Sequence, residues 1–333
     1  MLLAGDIGGT KTILALFQED SPREPMVETR FPSSRYDSLD TIVEEFVERH
    51  ATMLSEQPIR AAAFGVAGPV LGGKAKITNL TWAIDEAVLA SIMHLPHEKV
   101  SLLNDLEAIS TSIPNLRQDD LHVLNSGLPE AGASIAVIAP GTGLGEGYLT
   151  WDGKRYRAHP SEGGHAGFSP ENRDELELLG FMFEEHHHVS TERLCSGIGI
   201  PNIYQFLKTR KGFSEPAELT RALAAAEDPT PVIINNAQGD NASEICRETL
   251  NMFVSVLGSE CGDMALVLMA KGGVYLGGGI PPRILPALQG ERFRKAFRNK
   301  GRFSSLMASI PVYVILNSRA GLLGAAYAGM DML

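Results

Sequence analysis

A strand, a glycine-rich turn and a second strand occur twice in this chain, and this repeat constrains the fold more than any other feature. The first copy is built around Gly5-Asp6-Ile7-Gly8-Gly9-Thr10, and the second around Pro140-Gly141-Thr142-Gly143-Leu144-Gly145. Apolar runs flank both turns, as is typical of hairpins. The repeat favours two related halves that face each other across a cleft. Two unrelated hairpins would give the same pattern, so the turns alone leave both interpretations open.

Other apolar patterns predict helices and further strands around the two hairpins. One-sided apolar spacing predicts an amphipathic helix over 38–55, capped by Asp37 or Ser38, and a longer apolar helix over 243–270. The other predicted elements are strands at 59–67, 100–103, 274–276 and 311–316, with helices at 202–208 and from 320. The second half of the chain is therefore expected to be the more helical.

The charge balance argues against two classes of partner. The chain has 29 Lys and Arg against 40 Asp and Glu, which gives a net charge of -11. Such a protein is a poor candidate for binding nucleic acid or an anionic membrane surface. The longest nearly apolar segment is 264–270, so no stretch is expected to span a bilayer. Phosphorylated small ligands remain compatible, because backbone N–H groups can hold them.

The cysteines and the first residues predict a cytoplasmic protein. Cys195, Cys246 and Cys261 are odd in number and show no CxxC spacing, which fits a reducing compartment better than a disulfide framework. The first residues contain no basic region, and Asp6 interrupts their apolar run, which is unlike a secretory signal.

The glycine-rich turns are candidate phosphate-binding sites. Glycine lets backbone N–H groups approach an anion closely, and Thr10 and Thr142 add hydroxyl donors. Neither turn has the Walker A pattern, and neither precedes a helix as a dinucleotide fingerprint does. Asp6, beside the first turn, is placed to hold a metal ion directly or through water, although turn-capping Asp residues are also common.

Three further segments carry side chains suited to a polar substrate. Asn104-Asp105 follows a buried strand, where a carboxylate could take a hydroxyl proton, although Asp105 could equally cap the next helix. Glu162 and His165 lie in a loop with two glycines and could bind neighbouring hydroxyls or form part of a metal site. Glu192 falls in the predicted first turn of a helix, where a helix-dipole role is the plainer interpretation.

The tract His186-His187-His188 also suggests a metal site. Consecutive helical residues point in different directions, so a shared metal is not expected there. A solvated or helix-end cluster is the favoured interpretation.

Taken together, these segments resemble the bacterial glucokinase family, within the hexokinase, heat-shock protein and actin superfamily. The matching segments, in the family's order, are 5–12, 65–69, 77–79, 103–105, 141–145, 162–165, 189–193, 277–280 and 321–324. Each is short, but the ordered set spans nearly the whole chain. A second large group of bacterial sugar kinases has a similar Glu-x-Gly-His loop followed by a cysteine-rich zinc motif, and that motif has no counterpart here.

The resemblance implies roles for individual residues. Asp105 corresponds to the catalytic base that takes the proton of the sugar 6-hydroxyl. The residues implied to bind the sugar are Asn79, Asn104, Asp105, Glu162, His165 and Glu192. The residues implied to surround ATP and Mg²⁺ are Asp6, Gly8, Gly9, Thr10, Gly141, Thr142, Gly143, Gly277, Gly278 and Gly279, with Asp6 holding the ion through water.

The resemblance also implies an architecture and an activity. The expected fold is α/β, with two ribonuclease-H-like lobes of the actin-like ATPase type around a central cleft. The expected division is 1–110 with 318–333 for the smaller lobe and 111–317 for the larger one. The expected protein is a homodimeric, Mg²⁺-dependent glucokinase of glycolysis that converts glucose and ATP to glucose 6-phosphate and ADP. The alternatives are a kinase for another hexose and a non-catalytic ATP-binding regulator.

Overall fold

The structure is a computed structural model that describes residues 1–77 and 80–333. The chain forms two compact units. The first comprises residues 1–120, 156–160 and 317–333, and the second comprises 121–155 and 161–316. The sequence gives no indication that the short segment 156–160 groups with the first unit.

Strands and helices alternate in the first half of the chain, and helices predominate in the second. In chain order the strands are β1 (Leu2–Ile7), β2 (Lys11–Phe17), β3 (Val27–Pro32), β4 (Ala61–Val66), β5 (Val70–Leu71), β6 (Lys74–Lys76), β7 (Ala83–Asp85), β8 (Val100–Asn104), β9 (Leu121–Asn125), β10 (Ile135–Pro140), β11 (Leu144–Trp151), β12 (Tyr156–Ser161), β13 (Gly273–Leu276) and β14 (Val312–Ile315). The helices are α1 (Leu39–Arg49), α2 (Ala51–Glu56), α3 (Glu86–Ile92), α4 (Asp105–Ser112), α5 (Arg173–Met182), α6 (Gly199–Thr209), α7 (Ala217–Ala225), α8 (Pro229–Asn236), α9 (Glu244–Leu268), α10 (Leu285–Leu288), α11 (Glu291–Arg298), α12 (Ser304–Ser309) and α13 (Ala320–Asp331).

The first unit is built on a sheet with strand order β3-β2-β1-β4-β8. β1 pairs antiparallel with β2 and parallel with β4, and β4 pairs parallel with β8. Alternate residues of β1 enter different apolar clusters, Leu3 on one face of the sheet and Leu2 on the other. Helix α13 packs against β1, β4 and α4. α13 approaches α4 closely at Gly324, where an added Cβ atom would overlap the carbonyl of Ala108. The packing of α13 on α4 therefore requires glycine at this position.

The sheet of the second unit contains the neighbouring strands β11-β10-β13-β14-β9. β10 pairs antiparallel with β11 and parallel with β13, and β13 pairs parallel with β14. Helix α9 forms the centre of the core, with Phe253, Leu257 and Cys261 fully buried, and α6 and α11 pack on it. A Cβ atom at Gly258 would lie 2.6 Å from the carbonyl oxygen of Phe293, so the axes of α9 and α11 lie close together.

The two sheets share one strand plan, which confirms the predicted internal repeat. In each, a strand pairs antiparallel with the strand that follows its glycine-rich turn and parallel with a later strand on its other side. A further parallel strand follows in both cases, β8 in one unit and β14 in the other. The resemblance of the two turns in sequence therefore reflects equivalent positions in two related α/β units.

Two sequence predictions need correction. The helix predicted over 38–55 is divided into α1 and α2, because His50 has φ -110° and ψ 16° and leaves the helical conformation; Ser38 is the N-cap. Helix α9 is long and apolar enough to cross a membrane by length and composition, contrary to the expectation that no segment is. Most of its apolar window is buried inside the second unit, as in the core helix of a globular protein.

Candidate functional site

The first glycine-rich turn is a tight connection between β1 and β2. The N–H of Gly8 donates to the carbonyl of Lys11 at 2.9 Å, which closes the turn. Ser33 stabilises this turn through two hydrogen bonds. The Ser33 hydroxyl donates to the Gly8 carbonyl at 2.7 Å, and the Ser33 N–H donates to the Thr10 carbonyl at 3.1 Å. The buried hydroxyl of Thr12 lies 3.0 Å from the Ser33 hydroxyl. The turn is thus held by side chains that the sequence patterns do not single out.

Asp6 lies at the end of β1 beside this turn. Burial raises the pKa of its carboxyl group, Lys11 opposes this effect, and the nearby charge of Asp105 adds to it. A Cβ atom at Gly321, in the first turn of α13, would lie 3.5 Å from Asp6 Oδ1. The structure therefore brings Asp6 close to Asp105, as expected if both act on one substrate.

Asn104 and Asp105 share the start of α4, and the structure separates their roles. Asn104 is the N-cap, since its Oδ1 accepts from the N–H of Glu107 at 2.6 Å. The alternative that Asp105 caps this helix is wrong, because Asp105 is the first helical residue and its Oδ1 accepts from the N–H of Leu106 at 2.9 Å. Burial raises the pKa of the Asp105 carboxyl, and that N–H partly offsets it.

The donor set around Asp6 fits Mg²⁺. The carboxyl group of Asp105 is near enough to that of Asp6 for its charge to raise the pKa of Asp6, and burial raises the pKa of both groups. A cation beside them would favour their ionised forms. Mg²⁺ is commonly bound by one or two carboxylates, with waters and phosphate oxygens completing its shell. Within residues 1–77 and 80–333, no group of three or more His, Cys, Asp or Glu side chains is arranged to hold a metal ion.

The second glycine-rich turn connects β10 and β11 in the other unit. The N–H of Gly141 donates to the carbonyl of Gly143 at 2.8 Å. Gly197, two residues before α6, contacts this turn through its N–H, which donates to the Gly141 carbonyl at 2.7 Å. A Cβ atom at Gly141 would meet nothing within 4 Å, so open space adjoins this turn. A phosphate group can therefore approach the backbone closely.

The third glycine segment, at the end of β13, lies against the second turn. The N–H of Gly277 donates to the carbonyl of Ile138 at 2.9 Å. Gly278 has φ +81°, and a Cβ atom there would lie 2.5 Å from the carbonyl oxygen of Pro140, so both its conformation and its packing require glycine. Gly279 faces open space. The structure thus places 277–279 against the end of β10, where the second glycine-rich turn begins.

Three candidate sugar-binding side chains converge in the second unit. His165 Nδ1 lies 3.7 Å from Glu192 Oε1, and His165 Nε2 lies 3.8 Å from Glu162 Oε2. Glu162 and His165 are largely exposed; Glu162 immediately precedes a short 3-10 helix, 163–165, and His165 is its last residue. Glu192 lies in another 3-10 helix, 191–193. The two carboxylates can accept hydrogen bonds, and the imidazole between them can donate one, so the three groups together suit a ligand with several hydroxyl groups.

The second glycine-rich turn also holds Glu192. The N–H of Leu144 donates to Glu192 Oε2 at 2.9 Å, and a Cβ atom at Gly143 would lie 2.5 Å from that same oxygen. Gly143 is therefore needed for this contact, in addition to its predicted role beside phosphate. Sequence reasoning missed this second function, because nothing in the local pattern relates position 143 to position 192.

Two members of the histidine tract have structural partners. His188 Nε2 lies 2.8 Å from the carbonyl oxygen of His165, and His186 Nε2 lies 3.3 Å from Arg193. His188 thus supports the loop that carries His165. Asn79, the remaining predicted sugar ligand, lies outside the described residues.

Comparisons with known proteins agree on one family. The family model described as glucokinase matches residues 3–332. The glucokinase of Nostoc punctiforme is 38% identical over 340 residues, which cover 98% of each chain. A glucokinase from an Antarctic psychrotroph, known from its crystal structure, is 29% identical in sequence and has a TM-score of 0.82. The match covers 99% of this chain and 98% of that one.

A more distant structure supports the fold alone. It is a ROK family glucokinase from Streptomyces griseus, solved in complex with glucose and AMPPNP. It is 19% identical, with a TM-score of 0.61, and the match covers 98% of this chain and 97% of that one. Its likeness extends the two-unit α/β architecture to a second group of sugar kinases.

Proposed function

The chain belongs to the glucokinase family, and from this premise we propose that it transfers the γ-phosphate of ATP to the 6-hydroxyl of glucose, giving glucose 6-phosphate and ADP. The observation that carries the proposal is the position of Asp105. Its carboxyl group stands at the start of α4, has a raised pKa and lies near Asp6. A carboxyl so placed is suited to accept a hydroxyl proton beside a metal-bound phosphate.

The glycine-rich segments are proposed to hold ATP. The N–H groups of 9–10 and 142–143, with the hydroxyls of Thr10 and Thr142, are proposed to donate to phosphate oxygens, whereas the N–H groups of Gly8 and Gly141 donate within their own turns. The 277–279 segment is proposed to lie near the adenosine, because it packs on the second turn and Gly279 leaves space beside it. AMPPNP in the Streptomyces griseus protein is consistent with ATP as the phosphoryl donor.

Asp6 is proposed to hold Mg²⁺ through water, next to the first turn. Mg²⁺ supplies charge neutralisation on the phosphate oxygens and fixes their orientation for in-line transfer. Asp6 contributes a carboxylate whose raised pKa is lowered when a cation binds beside it. The turn behind it keeps its shape through the buried hydroxyls of Ser33 and Thr12.

Glu162, His165 and Glu192 are proposed to bind glucose hydroxyls, with the side-chain N–H groups of Asn104. Glu192 is fixed by the Leu144 N–H, and its other oxygen faces His165. Asn104 uses its oxygen to cap α4, so its amide donors are the part available to a sugar. A sugar that lacks the matching hydroxyls leaves these groups unpaired, which is costly and provides selectivity.

Asp105 is then proposed to take the proton of the 6-hydroxyl as its oxygen attacks the γ-phosphate. Most of the rate enhancement of a phosphoryl transferase comes from positioning and charge stabilisation. Removing the base is expected to cost a factor of about 10²–10⁴. Asn79 is included among the proposed sugar ligands on family resemblance alone.

A cytoplasmic, glycolytic setting and a homodimer are also proposed. A cytoplasmic location is supported by the three free and buried cysteines. A role in glycolysis follows from the proposed product, and a homodimer follows from family resemblance. The acidic net charge favours small-molecule substrates over nucleic acid or membrane partners.

The test is ADP release from Mg-ATP with glucose, mannose, fructose and N-acetylglucosamine supplied separately. Fast release with glucose alone is the expected result. Release with another hexose in preference to glucose would preserve the mechanism and change the substrate. ATP binding without any sugar-dependent release would contradict the proposal and favour a regulator.

A further inference from the structure

The carboxyl groups of Glu146 and Glu260 lie next to the segments that carry the proposed sugar-binding residues, and neither has a role in the proposed phosphoryl transfer. Glu146, on β11, is 2% exposed, and its side chain is hydrogen-bonded to that of Glu260, on α9. Ionised carboxylates have only acceptor atoms, so two of them hydrogen-bond to each other only when one carries a proton. The pair can therefore share one proton.

Glu146 contacts the loop that carries Glu162 and His165. A Cβ atom at Gly163 would overlap Glu146 Oε2, so the carboxyl group lies directly against the loop backbone. The other oxygen, Oε1, is buried and has no hydrogen-bond partner in the described part of the chain. A buried carboxyl oxygen of this kind is tolerated far better when the group is neutral than when it is ionised.

Glu260 contacts the other sugar-binding segment. The Thr191 side chain hydrogen-bonds to the Glu260 carboxyl group, and Thr191 immediately precedes Glu192. The Thr191 N–H also donates to the carbonyl of Ala166, just after His165, at 3.0 Å. The carboxyl pair is therefore joined to both segments whose side chains are proposed to bind glucose.

The surroundings favour retention of the proton. Burial raises the pKa of Glu146 to about 8, and the charge of Glu260 adds to the effect. Burial also raises the pKa of Glu260; Asp263 adds to that shift and Lys300 opposes it. The neighbouring thiols of Cys195 and Cys261 are fully buried, and burial raises the pKa of both.

We propose that Glu146 and Glu260 are positioning residues whose shared proton keeps the two glucose-binding segments in place, so that glucose affinity falls when the proton is lost. This inference rests on the proposed function. Loss of the proton leaves two adjacent negative charges in a buried site, and their repulsion displaces Gly163 and Thr191, which they contact. The expected effect is on glucose binding, with ATP binding unchanged.

The direction of the pH dependence follows from the raised pKa. Below pH about 4.5 the Glu146 carboxyl is protonated in both folded and unfolded chains, so it makes no difference to stability there. As the pH rises towards about 8, the unfolded chain loses this proton while the folded chain retains it, so the free energy of unfolding decreases. Above about 8 the folded chain loses it as well, and glucose affinity is expected to fall.

The glucose-binding loop also contains the imidazole of His165, so wild-type data alone would not assign the effect to the carboxyl pair. Glu146→Gln separates the two groups. The Gln side chain has nearly the same shape and donates an N–H to Glu260 at every pH, so it replaces the shared proton with a permanent donor. Glu175→Gln is the matched control, since Glu175 is a buried carboxyl in the same unit that accepts from Ser255 at 2.9 Å.

The experiment measures glucose binding by calorimetry, without nucleotide, at pH about 7 and about 9, on either side of the Glu146 pKa of about 8. Wild type and Glu175→Gln are expected to bind glucose about tenfold more weakly at the higher pH, while Glu146→Gln binds equally at both. Steady-state assays should show the same change in KM for glucose, with KM for ATP constant. A Glu146→Gln variant that keeps the wild-type loss of affinity would overturn the inference.

Failure of the proposed function gives a different result. A wild-type protein that neither binds glucose nor releases ADP with it contradicts both proposals. A wild-type protein that phosphorylates glucose, with a glucose affinity independent of pH over this range, contradicts only the role of the carboxyl pair. Glu146→Ala provides a second check, because loss of the contact should weaken glucose binding at both pH values.

Discussion

The Glu192 carboxylate accepts a hydrogen bond from the backbone N–H of Leu144 at 2.9 Å, and this contact joins the sugar-binding segment to the second glycine-rich turn. The same side chain faces His165 at 3.7 Å with its other oxygen. One carboxylate therefore has two partners, one in the turn proposed to hold phosphate and one in the loop proposed to hold sugar. The positions of the turn and of the loop therefore both depend on contacts with Glu192.

Glu192→Gln should weaken glucose binding more than ATP binding. The Gln oxygen can still accept from Leu144, but the side chain no longer presents a negative charge to His165 and to the sugar hydroxyls. Hydrogen bonds to charged groups contribute about 1.5–3 kcal/mol, so the Kd for glucose should rise by about tenfold or more. Separate calorimetric titrations with glucose and with Mg-ATP test this. Equal losses for both ligands would make Glu192 a structural residue.

Gly143→Ala and Gly141→Ala form a matched pair within one turn. A Cβ atom at Gly143 would lie 2.5 Å from Glu192 Oε2, so this variant should displace Glu192 and raise KM for glucose. A Cβ atom at Gly141 meets no protein atom within 4 Å, so that variant should fold normally and raise KM for ATP, whose phosphates need the same space. Steady-state kinetics with each substrate varied would measure both effects. The reverse pattern would contradict the assignment of the turn.

Asp105→Asn should remove turnover while preserving the fold and substrate binding. The Asn side chain can still accept from the Leu106 N–H, so α4 should start normally. It cannot take a proton, so kcat should fall by about 10²–10⁴-fold with small changes in KM. Asp85→Asn is the control, since Asp85 is the N-cap of α3 in the same unit and should leave kcat unchanged. A near-normal rate for Asp105→Asn would exclude it as the base.

Local patterns predict the two hairpins, for physical reasons. Glycine-rich turns between apolar runs have few other conformations, and the repeat indicates the shared strand plan of the two units. The contacts that fix the site join distant parts of the chain, and local patterns contain no information about them. Ser33 beneath Gly8, Gly197 beneath Gly141 and Glu260 beside Glu146 are of this kind.

The break between α1 and α2 shows another limit of sequence reasoning. The apolar spacing continues through both helices, so periodicity predicts one helix over 38–55. His50 leaves the helical conformation and its ring packs edge-on against Phe46, with centroids 4.8 Å apart. The break lies in the backbone conformation of one residue, which the spacing of apolar residues does not record.

Ser33→Ala should destabilise the protein and impair nucleotide binding. The Ser33 hydroxyl donates to the Gly8 carbonyl and lies beside the Thr12 hydroxyl, and both Ser33 and Thr12 are fully buried. Removal leaves buried polar groups without partners, which costs about 1–3 kcal/mol. Urea unfolding would measure the loss, and KM for ATP should rise because the turn is less fixed. Ser55→Ala, at an exposed helical site, is the control and should change neither quantity.

Gly324→Ala and Gly329→Ala test the packing of α13 with opposite expected signs. A Cβ atom at Gly324 would overlap the Ala108 carbonyl, so the substitution forces α13 and α4 apart and should cost several kcal/mol, beyond the about 1–3 kcal/mol typical of overpacking. At Gly329 the nearest side-chain atom is Leu2 Cδ2 at 3.8 Å, an ordinary contact. Alanine there should stabilise the helix by about 0.5–1 kcal/mol. Because α4 begins with Asp105, displacement of this helix should also lower kcat in the Gly324 variant. Urea unfolding and kinetics of both variants decide the matter, and destabilisation of similar size at the two sites would contradict the close approach of α13 to α4.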